Sequence, residues 1–188
     1  MFKKPVYLLL AFVLFAALSR LIPHAYNFTP LGAIVLFGAA WFPKKIWAYA
    51  VPLAALFLSD LLLNNMVYAA FYDGFQWLTP GFLYIYGAFA LIVPLAIRLF
   101  RKVTFPRVLT GAIGASVIFF VVSNFGVWVT SPLYPLTLKG LMLCYTAAIP
   151  FFHYTLAGNL VYSAVLFGGY AYVTSRHPEL LPSEIIQD

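Results

Sequence analysis

Apolar residues along the chain gather into six runs parted by short polar or basic connections, and the run lengths predict helices that cross a bilayer. The first helix is expected over about residues 5–22. The connection 23–28 leads to Thr29-Pro30, a capping residue followed by proline at the first helical position, so the second helix starts there. Its apolar run, 31–42, stops at Pro43-Lys44-Lys45. At about 1.5 Å per residue it reaches only roughly 20 Å, short of the ~30 Å hydrocarbon core. Such a helix must be embedded among its neighbours or sit where the bilayer thins.

The third helix is expected over 46–63 with Pro52 inside it, and a long connection follows over 64–80. That connection is aromatic rather than flexible: Tyr68, Phe71, Tyr72, Phe75 and Trp77 suit an interfacial lid or half-helix. Helix four is expected over 81–100, with Pro94 inside it, and helix five over 106–129. Residues 136–148 are apolar, hold Lys139 and are too short to span, so they read as re-entrant or lying on the outer surface. Helix six then runs over 150–175, followed by a tail, 176–188. No repeat, low-complexity tract or linker divides the chain, which is read as a single transmembrane domain, 1–188.

The basic residues orient this map. Lys3, Lys4, Lys44, Lys45, Arg98, Arg101, Lys102, Arg107 and Arg176 fall on one side of a six-helix alternation, and only Arg20 and Lys139 on the other. By the positive-inside rule both chain ends lie in the cytoplasm, an N-in/C-in all-α membrane protein. Composition agrees: 64% of residues are hydrophobic and 9% charged, with a mean hydropathy of +0.94, too apolar for a soluble globule. The net charge of +6 sits in short loops where it meets anionic headgroups, and without a continuous basic face nucleic acid is excluded as a partner. Lys3-Lys4 and the apolar stretch after it also fit a secretory signal, but cleavage would leave the next loop inverted against the charge rule, so a retained helix is expected. The lone Cys144 permits no internal disulfide.

With that topology, the strongly polar residues at or near membrane depth fall in the outer half: Arg20, His24, Asn27, Asp60 with Asn64 and Asn65, Asn124 with Trp128, and His153, Tyr154, Thr155 and Asn159. Asp60 and Asn64, Asn124 and Trp128, and Thr155 and Asn159 are each four apart and share a helix face. An ionisable group at a helix centre costs ~2.5–3.5 kcal/mol on insertion scales. Convergence on a hydrated outward cavity is the cheapest arrangement, and Tyr26, Trp77, Trp128, Tyr134 and Tyr145 would ring it. A simple bridge between Arg20 and Asp60 is the competing reading. Asn27-Phe28-Thr29 matches a glycosylation sequon, but the following proline favours a turn or helix cap.

Signatures of embedded enzymes are missing: no HExxH, no GxSxG, no aspartate pair and no phosphate-binding GxxxxGK[ST]. No metal site or cofactor is expected, since His24 and His153 lack partner-spaced ligands.

The stretch Arg20-Leu21-Ile22-Pro23-His24-Ala25-Tyr26-Asn27-Phe28-Thr29-Pro30-Leu31-Gly32-Ala33 carries a resemblance, together with Ser123-Asn124-Phe125-Gly126-Val127-Trp128, Leu133-Tyr134-Pro135 and Ile149-Pro150-Phe151-Phe152. It resembles an uncharacterised bacterial family of proposed transport proteins that look like the substrate-binding S components of energy-coupling factor (ECF) vitamin transporters. The resemblance implies a six-helix S-component-like bundle in the cytoplasmic membrane of a bacterium, with an ECF-type coupling subunit and ATPases as partners. The AxxxA pattern with which such components dock their coupling subunit is not made by Ala11, Ala16 and Ala17.

The expected function is therefore membrane transport: uptake of a vitamin- or nucleobase-like small molecule bound in the outward polar cavity. Arg20, His24 and Asn27 would donate from the first loop, Asp60, Asn64 and Asn124 would orient the ligand, Trp128 would stack on it, and His153 and Asn159 would complete the wall. The alternatives are a membrane enzyme using His24 or His153 with Asp60 as acid and base, and a structural subunit whose polar groups pair internally.

Overall fold

A computed structural model describes residues 4–181, so Lys3 and most of the expected tail lie outside the described residues. Among the described residues there are six α-helices and no strand: α1 Lys4–Ser19, α2 Leu31–Trp41, α3 Lys45–Leu62, α4 Phe82–Leu99, α5 Phe105–Thr130 and α6 Leu138–Arg176. A π turn, Leu63–Val67, prolongs α3, and short 3-10 turns follow at Ala69–Phe71 and Pro178–Leu180. Four helices are long and apolar enough to cross a membrane: α3 with its π turn, α4, α5 and α6. The other two are apolar but shorter.

α2 is the centre of the bundle. It carries no charged side chain and no polar one beyond the indole N–H of Trp41, and every residue from Leu31 to Ala40 is buried. A helix apolar on all faces is stable only when surrounded, and α2 packs on all five other helices. Of the two ways to accommodate so short a run, embedding among neighbours is the one found. The helix begins one residue later than expected, because Pro30 with φ −78° takes the capping position and its carbonyl accepts the Ile34 N–H at 2.8 Å. Close packing against α6 requires Gly32, where an added Cβ would lie 2.3 Å from Asn159 Oδ1.

The largest departure from expectation is α6. It runs unbroken for 39 residues, so 136–148 is neither re-entrant nor separate from the sixth helix. Pro150, read as a helix start, lies in the interior; it leaves the Thr146 carbonyl without a helical N–H, a loss of one hydrogen bond. Packing on α5 on both sides of Pro150 holds the helix continuous. Tyr145 donates to the Val121 carbonyl at 2.6 Å, Phe120 meets Phe152 edge-on at 5.2 Å, and Asn159 donates to Ser116 Oγ at 2.8 Å. The helix starts at Thr137, whose hydroxyl accepts the Gly140 N–H at 3.2 Å.

Aromatic contacts define one end of the core. Phe37 packs on Phe12, Phe167 and Tyr170, Phe100 on Phe167, and Trp41 on Tyr170 at 4.7 Å. The C-terminal ends of α2, α4 and α6 therefore lie together, and Lys44, Arg98, Arg101, Lys102 and Arg176 lie on or beside them. At the opposite end, α1, α3 and α5 finish and α4 begins.

Candidate functional site

A cavity of about 690 Å³ lies at that opposite end, between the start of α4, the second half of α5 and the stretch of α6 around Pro150, with Asn27 reaching in from the first loop. Its polar wall is α5. Ser123, Val127 and Thr130 recur at helical spacing along one face, with Asn124 beside them. Each polar group there is satisfied within its own helix. Ser123 Oγ donates to the Phe119 carbonyl at 2.6 Å, Asn124 Nδ2 to the Phe120 carbonyl at 2.8 Å, and Thr130 Oγ1 to the Gly126 carbonyl at 2.8 Å. Back-bonding of this kind lets hydroxyls and amides sit in an apolar helix, and it leaves their oxygens as acceptors facing the hollow. The α6 wall is small and apolar, Ala147 and Ala148, with the buried Thr155 about two turns deeper. Phe119, Phe120 and Phe151 supply aromatic surface.

Beside the first loop lies a buried ion pair. Arg20, just past the end of α1, places Nη1 2.8 Å from Asp60 Oδ1 on α3, and the same nitrogen donates to Ser59 Oγ. Tyr86 on α4 donates to Asp60 Oδ2 at 3.5 Å. The two ionic side chains are 10% and 7% exposed, so each is the other's principal charge partner in a region of low dielectric. Arg20 Nε has no partner. Above this pair the π turn, marked by Tyr68 N–H to the Leu63 carbonyl at 2.8 Å, anchors the long connection. Asn64 donates to Thr79 Oγ1 at 3.1 Å, and Asn65 makes three bonds: to the Leu61 and Gln76 carbonyls and from the Gln76 N–H.

The nine residues singled out in the sequence thus divide. Asn27 and Asn124 line the cavity, Asn27 in the left-handed conformation with φ 64° that asparagine tolerates. Arg20 and Asp60 are joined to each other, and Asn64 holds the connection. Trp128 Nε1 donates to the Pro135 carbonyl at 3.0 Å, closing the turn between α5 and α6. Asn159 is buried against Ser116 and Gly32. The two histidines are exposed: His24 Nδ1 donates to the Ile22 carbonyl at 2.6 Å, and His153 rests on the Tyr154 ring at 3.9 Å. Among the described residues no group of three or more His, Cys, Asp or Glu side chains is placed to hold a metal. Ser123, quoted only within the resemblance motif, and Thr130 were not among the expected binding residues; their seven-residue spacing beside Asn124 was the available signal.

A family profile covers residues 2–180, from before α1 through the last turn, and so takes in every element that builds the cavity. The chain belongs to DUF6580, a family of unknown function. No curated protein and no solved structure matches it. Membership in DUF6580 therefore carries no assigned chemistry to these side chains.

Proposed function

We propose that this DUF6580 protein is an integral membrane transport protein that binds a small molecule in the cavity between α4, α5 and α6 and takes it inward. The observation that carries the reading is the cavity itself. About 690 Å³ is within the roughly 300–1,000 Å³ of small-molecule sites, and the mixture of apolar wall and a few fixed polar groups is what such sites use. Six crossings with both ends in the cytoplasm of a bacterium place the basic end of the bundle inward and the cavity toward the outside. The short α1 and α2 then rely on protein packing for the remaining thickness. Asn27 and Asn124 touch the ligand, joined by Ser123, Thr130 and Thr155, while the Arg20–Asp60 pair holds the first loop in place.

The resemblance to ECF S components supports vitamin- or nucleobase-like cargo, and with no nucleotide-binding motif in the chain the energy comes from a coupling subunit with ATPases or from a gradient. Neither His24 nor His153 lines the cavity, so acid–base catalysis finds no support there. The test is Ala148→Trp, which fills the hollow from the α6 side. Uptake into vesicles of the molecule that co-purifies with the protein should cease while the variant still elutes as a folded species; undiminished uptake would refute the assignment.

A further inference from the structure

We infer that the ligand of this cavity is an uncharged molecule that presents N–H or O–H donors to the α5 wall. The inference rests on the proposed binding role of the cavity and narrows it to a chemical class. Two independent features carry it.

The first is charge. No Lys, Arg, His, Asp or Glu side chain lines the 690 Å³ hollow. The nearby buried charges, Arg20 and Asp60, are joined at 2.8 Å and neutralise each other. Helix ends offer no substitute. At the start of α4, which borders the cavity, the Phe82 N–H is bonded to the Thr79 carbonyl and the Tyr84 and Ile85 N–H groups to the Gly81 carbonyl. At the end of α5 the Val127 carbonyl accepts the Ser131 N–H. An anion or cation entering here would surrender its hydration with no counter-charge in return.

The second is hydrogen-bond polarity. Ser123 and Thr130 each spend their single hydroxyl hydrogen on a carbonyl of their own helix, and Asn124 spends one amide hydrogen likewise. What α5 has left is mainly acceptor oxygen. A ligand edge of amide, ring N–H or hydroxyl groups complements it, and an edge of bare acceptors does not.

Native mass spectrometry of the full chain in lipid nanodiscs, wild type beside Ala148→Trp, tests this. The expected result is one small-molecule adduct in the wild type, absent from Ala148→Trp, that is neutral at pH 7 and carries exchangeable hydrogens. Asn124→Leu should then weaken its binding about five- to tenfold. Methylating the molecule's donor should cost a similar factor in the wild type and much less in Asn124→Leu. Ser123→Ala serves for this comparison if Asn124→Leu does not fold. An ionic adduct that Ala148→Trp abolishes, or equal methylation losses in both proteins, overturns the chemical class and leaves the cavity reading standing. No adduct, or one retained in Ala148→Trp, overturns both.

Discussion

Asp60→Asn is the most direct test of how the first loop is held. The substitution keeps the side-chain volume and removes the charge, so no void is created and the effect isolates the ion pair. At the 2.8 Å separation of Arg20 Nη1 and Asp60 Oδ1 the gross Coulomb attraction is about 6 kcal/mol for an effective dielectric near 20, much of it offset by desolvation. Stripping one partner leaves Arg20, 10% exposed, as an uncompensated buried cation, which costs about 3–5 kcal/mol. For a chain of this size each kcal/mol lowers Tm by about 2–4 °C, so a fall of about 6–20 °C is expected in detergent, followed by tryptophan fluorescence. The double variant Arg20→Met with Asp60→Leu removes both charges together and should regain most of that loss. A Tm for Asp60→Asn within about 2 °C of wild type, or a double variant no more stable than the single one, would refute the reasoning.

Three further outcomes follow from particular contacts. Gly158→Ala places a methyl 2.9 Å from the Thr29 nitrogen and 3.0 Å from its oxygen, backbone atoms that cannot swing away; thermal melts should show a loss of about 1–3 kcal/mol. Asn159→Ala removes the 2.8 Å bond to the buried Ser116 and should lower stability by about 1–3 kcal/mol, yet leave ligand affinity unchanged in a binding titration, since Asn159 does not line the cavity. Asn65→Ala deletes two bonds to the long connection, both with Gln76, and one to the Leu61 carbonyl of α3, so chymotrypsin should cut the chain near the exposed Phe71 faster while the melting temperature of the helices moves little.

Much of the fold was legible because its grammar is local. Apolar run length separated α1 to α5, and the shortness of the second run was enough to demand that α2 be surrounded. Pro150 misled because proline is compatible with two situations, the first turn of a helix and an interior position with one hydrogen bond forgone, and only the packing of α5 against α6 decides between them. The candidate site was less legible for a similar reason. Four-residue spacing says that two side chains share a face, but not what the face meets. Thr155 and Asn159 share one, yet Thr155 borders the cavity while Asn159 is wedged between α2 and α5. Arg20 and Asp60 lie forty positions apart; their common depth already allowed a bridge as the competing reading, but whether they meet each other or a ligand depends on tertiary packing, which no local pattern encodes.

The length of α6 has a mechanical consequence. Thirty-nine residues make a rod of about 58 Å, longer than the roughly 40–45 Å from one headgroup layer to the other. It must lean or project, and its far tip at Arg176 is joined by one continuous shaft to the wall formed by Ala147 and Ala148. The missing rung at Thr146 is where that shaft bends at least cost, because no hydrogen bond remains there to stretch. Any bend taken there changes the pitch of α6 beside Ala147 and Ala148, which line the hollow.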